Sequence, residues 1–371
     1  MTRTPLDALT DAGVSIWLDD MSRVRLTTGS LQRLIDDRHV TGMTTNPTIF
    51  AKAIEGSDVY NDQLDGLARR NVDVAEALRA VTTYDVRAAC DVMRPIFDAT
   101  GGTDGRVSIE VDPRIAHDTD AQVAEPQALW WLVDRPNMFV KIPATVEGLP
   151  AISRCLGEGI SINVTLIFSL ARYDAVIDAF LDGVEAASDA GHDLSTLRSV
   201  ASFFVSRVDS EIDDRLQKIG TPDALALAGK AGIANARIAY EHYERMCVDD
   251  RWQALAAVGA SPQRPLWAST STKNPAYDDT MYIVGLVAPG VVNTLPEPTL
   301  EAVLDHGRIE ADTISAHYAE AHGVLDELRD IGVDYDEGVR TLEDEGISKF
   351  IGYWTELERE VRSQLDNARA R

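Results

Sequence analysis

The sequence has few cysteines, no glycine-rich phosphate loop and no metal-ligand spacing. Its 371 residues include three cysteines, which are far apart and form no CxxC pair. That pattern is typical of free thiols in a reducing compartment rather than a disulfide framework. The seven histidines are scattered and no HExxH occurs. We therefore expect no metal site and no bound cofactor.

Positive charge and long apolar runs are also scarce. There are 35 Lys and Arg against 60 Asp and Glu, giving a formal net charge of −25. Such a chain repels polyanions, so nucleic acid and anionic membranes are poor candidate partners. The most apolar segment, 282–292, is interrupted by Pro289 and Gly290 and is far shorter than the ~20 residues of a membrane span. The first residues lack the apolar core of a signal peptide, so we expect a cytoplasmic protein.

Short runs rich in Val, Ile, Phe and Thr recur along the chain, and 45% of the residues are hydrophobic. The long connections between these runs carry helix signals, which is the pattern of βα units and a parallel sheet. The fold class predicted is α/β, a (β/α)8 TIM barrel. A doubly wound sheet is the competitor, but its usual GxGxxG turn is missing. The eight predicted strands are residues 15–19, 42–45, 106–111, 138–142, 160–165, 200–205, 265–269 and 291–294.

Two of the connections are unusually long. We interpret residues 51–105 and 208–264, roughly, as extra helices inserted in a single domain spanning 1–371, because no Pro/Ser-rich linker borders them. Ser30 is a plausible N-cap of a helix that ends before Gly42. Thr221 and Pro222 should open a second helix, which runs on to residue 246. The segment 349–371 alternates charged and apolar residues with helical period and predicts a C-terminal helix.

Alternation along the predicted strands places polar residues on one face, near the carboxyl end of each strand. In a barrel, that face lines the lumen at the catalytic rim. An antiparallel sheet with one wet face would give the same alternation, but the connections are too long for hairpins. We therefore expect one lumen to contain Asp19, Glu110, Lys141, Asn163 and Thr165.

Lys141 lies between apolar neighbours in MFVKIP, where burial favours its neutral, nucleophilic amine. Nearby carboxylates favour the charged form instead. A neutral amine beside a carboxyl group is suited to Schiff-base chemistry on a carbonyl, although a buried Lys–Glu or Lys–Asp ion pair would look the same. No GxSxG elbow or Cys/His nucleophile setting is evident. His117, after the third strand, is more typical of a surface or capping group.

At these residues the sequence resembles the transaldolase family, in a long bacterial form, along most of the chain. The segments that carry the resemblance are WLDD (17–20), TTNPTIF (44–50), VSIEVDPR (107–114), VKIPATVEG (140–148), GISINVTLIFS (159–169), SFFVSRVD (202–209) and WASTSTKNP (267–275). They occur in family order, each near the end of a predicted strand.

The resemblance implies roles for the polar residues of the lumen. Lys141 would be the Schiff-base lysine and Asp19 the acid/base for carbon–carbon cleavage. Glu110 and Thr165 would move protons through a water during Schiff-base formation. The hydroxyls of a retained dihydroxyacetone unit would contact Asn46, Asn163 and Ser202. Asn46 could instead be a turn residue before Pro47.

The resemblance also implies a phosphate end. Arg207 matches the family's phosphate arginine, although a surface salt bridge with Asp209 or Glu211 would be the alternative. The family's second arginine is absent after Ser269, and Lys273 is the expected replacement.

The implied reaction moves dihydroxyacetone from sedoheptulose 7-phosphate to glyceraldehyde 3-phosphate, in the pentose phosphate pathway. The expected partners are small sugar phosphates, and a homo-oligomer is left open. A fructose 6-phosphate aldolase is the nearest alternative, but those relatives tend to carry Gln and Tyr where this chain has Glu110 and Phe204. A catalytically silent binding barrel is a third interpretation, and it predicts the loss of Lys141, Asp19 or Glu110.

Overall fold

The computed structural model describes residues 3–370 and contains a closed eight-stranded barrel. Every strand pairs in parallel with the next, and the last pairs with the first. The predicted (β/α)8 barrel with extra helices is confirmed. The strands are β1 Ser15–Leu18, β2 Val40–Met43, β3 Arg106–Glu110, β4 Met138–Pro143, β5 Ile162–Ile167, β6 Ser199–Phe204, β7 Arg264–Ala268 and β8 Val292–Leu295.

Helices surround the barrel and fill its connections. α4 to α6 lie between β2 and β3, and α10 to α13 lie between β6 and β7. No helix in the described range 3–370 is long and apolar enough to cross a membrane. That residues 1–371 form one domain stays a prediction. The helices are α1 Pro5–Asp11, α2 Arg23–Thr27, α3 Ser30–Arg38, α4 Pro47–Ile54, α5 Asn61–Arg69, α6 Val74–Ala99, α7 Ala121–Val133, α8 Gly148–Gly157, α9 Leu170–Asp189, α10 Ser206–Ile219, α11 Pro222–Leu225, α12 Ala231–Cys247, α13 Asp250–Ala257, α14 Met281–Val284, α15 Glu297–His306, α16 Tyr318–Asp330 and α17 Tyr335–Ala370.

Two strands lie two residues away from their predicted positions. β2 starts at Val40, before the predicted 42–45, and β5 ends at Ile167, beyond the predicted 160–165. Gly42 is therefore a strand residue and does not follow the end of a helix. Its place in β2 is sterically explained, because a Cβ there would sit 2.6 Å from the indole of Trp17.

The helix boundaries also differ in three places, and α17 begins at Tyr335, before the predicted start at residue 349. Ser30 is the first residue of α3, and the N-cap is Gly29 in a left-handed conformation. Thr221 caps α11 as predicted, with its hydroxyl accepting from the Ala224 N–H. The helix predicted to continue from there is interrupted at Gly229, which has φ +74°. The Gly229 N–H donates to Asp213 at 2.9 Å instead of continuing the helix.

The barrel buries two different sets of side chains. Outward-facing residues such as Val107, Ile109 and Phe203 join the helices in one apolar layer. The lumen is filled in its lower part by aromatic rings, including Trp17 and Phe139 with centroids 6.0 Å apart. This packing fills the lumen below the polar residues, which lie near the carboxyl ends of the strands.

Helix α17 packs against α4, α5, α6 and α10. It is attached to the barrel by ion pairs at separate points along its length. Glu343 accepts from Arg172 at 3.3 Å, and Glu358 accepts from Arg114 at 2.7 Å. At Gly346 a Cβ would lie 3.3 Å from the Phe168 ring, so glycine permits a close approach of the helix to the barrel.

Candidate active site

The strand register brings the central polar residues together. Glu110 of β3 is paired with Lys141 of β4, and Lys141 is paired with Asn163 of β5. Thr165 pairs with Pro143, two residues further along the same strands. Because side chains at alternating positions share a face, all four polar residues point to the lumen side of their strands.

Lys141 is almost completely buried, with 6% of its surface exposed. Its Nζ donates to the carbonyl oxygen of Thr45 at 2.9 Å and lies 3.4 Å from Oε2 of Glu110. Thr45 follows β2, so three neighbouring strands position this amine. The amine lies on the wall of a cavity at the barrel mouth.

Asp19 directly follows β1, and hydroxyl groups orient its carboxylate. Thr44 Oγ1 donates to Asp19 Oδ1 at 2.9 Å and lies 2.8 Å from Thr294 Oγ1. Burial raises the pKa of Asp19 above its usual value, while the Lys141 ammonium and the Thr44 hydrogen bond oppose that rise. The carboxyl group of Asp19 therefore binds a proton more readily than a solvent-exposed aspartate does.

Glu110 is buried, with 9% of its surface exposed. Burial raises the pKa of Glu110 to about 7, although the charge and hydrogen bond of Lys141 act in the opposite direction. Glu110 is also among the residues that line a neighbouring cavity of about 290 Å³, which α6, α7 and α17 enclose. A carboxyl group with a pKa near neutrality is suited to proton transfer.

Deeper in the lumen, Asn163 and Ser202 form a hydrogen-bonded pair. Ser202 Oγ donates to Asn163 Oδ1 at 2.6 Å, and Asn163 Nδ2 donates to Ser108 Oγ at 3.0 Å. The hydroxyl of Thr165 is buried and has no partner among the described residues. Because buried hydroxyls normally have a hydrogen-bond partner, Thr165 is available to a ligand or water.

A cavity of about 320 Å³ opens at the carboxyl ends of the strands. Of the eleven residues singled out in the sequence, Glu110 and Asn163 are not on its wall. The nine on its wall are Asp19, Asn46, Lys141, Thr165, Ser202, Phe204, Arg207, Ser269 and Lys273. Asn46 is also the N-cap of α4, where its side chain accepts from the Ile49 N–H at 3.0 Å.

Two cationic residues, Arg207 and Lys273, are on the wall of this cavity. Arg207 forms no ion pair within residues 3–370. Asp209 accepts instead from the Gly232 N–H and the Tyr282 hydroxyl, and Glu211 is paired with Arg215. Burial lowers the pKa of Arg207, with Tyr353, Asp19 and Glu110 opposing that effect.

Lys273 is exposed and donates to Ser271 at 2.9 Å. Although the residue as a whole is exposed, its amine is partly desolvated, and this desolvation, followed by the charge of Arg207, lowers the pKa of Lys273. Ser269 has φ +56° and its hydroxyl lies 2.9 Å from that of Ser206.

Several wall residues were missed in the sequence. Thr44 lies inside the motif TTNPTIF and Thr294 inside a predicted strand, so strand-end parity could have found both. Lys52, Phe350 and Tyr353 had no such signal, since they come from helices whose docking the sequence does not specify. A surface group of Asp278, Asp279 and His306 has metal-ligand geometry, but it is exposed and outside this cavity.

The fold and the cavity define a (β/α)8-barrel protein with a polar site at the carboxyl ends of its strands. The family model described as Transaldolase/Fructose-6-phosphate aldolase matches residues 16–361. Proteins named Transaldolase from Acidothermus cellulolyticus and Thermobifida fusca are 67% and 60% identical, each aligned over 98% of both chains. One from Frankia alni is 60% identical over 97% of both chains. The chain belongs to the transaldolase/fructose-6-phosphate aldolase family of enzymes.

Proposed function

We propose that this enzyme is a transaldolase that moves dihydroxyacetone from sedoheptulose 7-phosphate to glyceraldehyde 3-phosphate. The products are erythrose 4-phosphate and fructose 6-phosphate. One observation carries the proposal. The buried amine of Lys141 lies on the wall of a polar cavity and 3.4 Å from the carboxyl group of Glu110, whose pKa is raised. Relatives that align over nearly the whole chain are named for this activity.

In the first half-reaction, Nζ of Lys141 attacks the C2 carbonyl of the ketose phosphate, and loss of water from the carbinolamine gives an iminium. Asp19 removes the proton of the C4 hydroxyl, and the C3–C4 bond breaks. Its electron pair moves into the iminium, giving an enamine and releasing erythrose 4-phosphate. In the second half-reaction, C3 of the enamine attacks the aldehyde carbon of the acceptor, Asp19 returns the proton, and hydrolysis releases fructose 6-phosphate.

Glu110 and Thr165 would move the protons of carbinolamine formation and dehydration through a water. Two features support that role: the pKa of Glu110 of about 7 and the buried Thr165 hydroxyl without a protein partner. The retained three-carbon unit would be held by Asn46, Asn163 and Ser202. Asn163 and Ser202 already bond to each other, so a bound hydroxyl would join an existing network.

The substrate phosphate would be bound by Arg207, Ser269 and Lys273. Arg207 has no protein carboxylate to neutralise it within the described residues, which leaves its guanidinium fork free for a phosphate. Lys273 would replace the arginine that the family usually has, and its exposure predicts a weaker contact than a buried arginine would give.

Release of free dihydroxyacetone, as in a fructose 6-phosphate aldolase, is the competing proposal. Glu110 and Phe204 favour transfer, because a Tyr hydroxyl in place of Phe204 would help to protonate the enamine and free the fragment. We further propose that the enzyme acts in the cytoplasm, since its expected substrates are metabolites of the pentose phosphate pathway.

The experiment is to incubate the enzyme with fructose 6-phosphate, reduce with borohydride and identify the modified peptide by mass. We expect an adduct on Lys141, and its absence from that residue would refute the Schiff-base assignment. An Asp19→Ala variant is the matched control: it should still form the adduct while overall transfer slows about 10²- to 10⁴-fold.

Incubation of the unreduced enzyme with fructose 6-phosphate distinguishes a transferase from an aldolase that only cleaves the sugar. We expect a seven-carbon product only when erythrose 4-phosphate is added to the fructose 6-phosphate. Free dihydroxyacetone accumulating without an acceptor would favour the aldolase instead.

A further inference from the structure

Arg207 contacts two aromatic rings that come from different parts of the chain. Its guanidinium carbon is 5.4 Å from the ring centroid of Phe204 and 6.0 Å from that of Phe350. Phe204 ends strand β6, whereas Phe350 is on helix α17, near the other end of the sequence. Both distances are within the range of cation–π contacts.

The rings around Arg207 are themselves held in place. Phe204 packs against Phe168 with centroids 5.1 Å apart, and Phe350 packs against Tyr353 with centroids 6.1 Å apart. Phe350 is 5% exposed, so its ring has little freedom to turn away. Phe350 and Tyr353 both line the cavity that also contains Arg207 and Lys141.

The two aromatic rings stabilise the charge of Arg207, which is partly buried. Burial lowers the pKa of its guanidinium, and no carboxylate pairs with it among the described residues. The aromatic faces stabilise the cation without occupying its N–H groups, whereas a paired carboxylate would compete with a ligand for those groups.

We infer that Phe350 is a positioning residue that holds Arg207 in the orientation for binding the substrate phosphate, and that helix α17 thereby completes the phosphate end of the site. The inference rests on the proposed function for the identity of the phosphate compound. The contact between Phe350 and Arg207 should affect the binding of any phosphate at Arg207, whether or not the enzyme turns over a substrate.

Replacing Phe350 with Ala or Leu removes the aromatic face, whereas Phe350→Tyr keeps it. Loss of one cation–π contact corresponds to about 3- to 30-fold in affinity. We expect KM for fructose 6-phosphate to rise by that factor in the Ala and Leu variants, with kcat reduced much less. The Tyr variant should stay close to the wild type, because it retains the ring.

Ile347→Ala is the matched control, since Ile347 is also a buried apolar residue of α17 but lines a different cavity. It should lower stability without changing KM. If Phe350→Leu and Ile347→Ala raise KM equally, or if Phe350→Leu leaves KM unchanged, the inference is wrong and Phe350 only packs the helix.

Titration calorimetry with inorganic phosphate separates this inference from the proposed function. We expect phosphate to bind the wild type and to bind the Phe350→Leu variant about 3- to 30-fold more weakly. That result without any transaldolase activity would refute the proposed function and support the role of Phe350. Equal phosphate affinity in the two proteins would overturn the role of Phe350, whatever the activity.

Discussion

Glu110 shows how burial adapts a common side chain to proton transfer. Its carboxyl group lies 3.4 Å from Nζ of Lys141 and is almost completely buried. Burial disfavours the ionised form, and this outweighs the opposing charge of Lys141, so the pKa rises to about 7. Near neutral pH the group is divided between its acid and base forms, and it can serve both directions of a dehydration step.

The pKa of Glu110 predicts a pH dependence for Schiff-base formation. Carbinolamine dehydration needs an acid, and Glu110 is protonated only below about pH 7. The ratio of the borohydride-trapping rates of the wild type and Glu110→Gln should therefore fall as the pH rises through that value. At pH 6 we expect the variant to be about 10²- to 10⁴-fold slower. A ratio that stays constant from pH 5.5 to 8.5 would contradict this role.

The alternation of side chains along the strands predicted which residues share the lumen, but not which hydrogen bonds each of them forms. Lys141 and Glu110 could be placed together because alternation fixes a strand's faces. The hydroxyl chain from Thr294 through Thr44 to Asp19 was not predicted, since it links strands at opposite ends of the sequence. The assignment of functional roles to these residues stays a prediction until the experiments above are done.

At the scale of elements, one buried carboxylate joins helices α10 and α12. Asp209 accepts from the Gly232 N–H and from the Tyr282 hydroxyl, each at 2.7 Å. It is 1% exposed, and burial raises its pKa to about 6 even though both hydrogen bonds act to lower it. The folded protein thus binds a proton at Asp209 more tightly than the unfolded chain does.

This linkage predicts a pH-dependent loss of stability. Because the folded-state pKa is above the usual 3.8, the contribution of Asp209 to stability is full at low pH and is lost as the pH rises through about 6. Between pH 5 and pH 8 the unfolding free energy of the wild type should fall by roughly 1 kcal/mol relative to Asp209→Asn. Urea denaturation at both pH values measures it.

The matched control for Asp209 is Asp214→Asn, on the exposed side of the same helix. The unfolding free energy of this variant should change between pH 5 and pH 8 by the same amount as that of the wild type. If Asp209→Asn also follows the wild type, the carboxyl group does not titrate as its burial indicates.

The elements themselves were predictable to different degrees. The eight strands were located because β-branched and aromatic runs alternate with helical segments. The irregular end of β5 was not, since Leu166 has φ +60°, which a leucine rarely adopts, and the register shifts between Val164 and Ile167. The helical period of residues 349–371 predicted the C-terminal part of α17, but nothing local indicated that Phe350 would reach Arg207.

The whole molecule is strongly acidic, whereas its proposed substrates are anions. The net charge of −25 acts over long distances at low salt, while Lys141, Arg207 and Lys273 act only near the cavity. The Debye length is about 30 Å at 0.01 M and about 8 Å at 0.15 M ionic strength. Moderate salt therefore screens the repulsion of the whole chain before it screens the local attraction.

We consequently predict that kcat/KM for glyceraldehyde 3-phosphate first rises and then falls as sodium chloride increases from about 0.01 M to about 1 M. The rise reflects screening of the distant acidic residues, and the fall reflects screening of the cations at the cavity. Lys273→Gln should lower the whole curve and weaken its falling part, because it removes one local cation. Unphosphorylated glyceraldehyde, which is neutral, should show no maximum. A steady fall from the lowest salt would mean that the local cations dominate at every distance, and that the acidity of the surface has no influence on substrate binding.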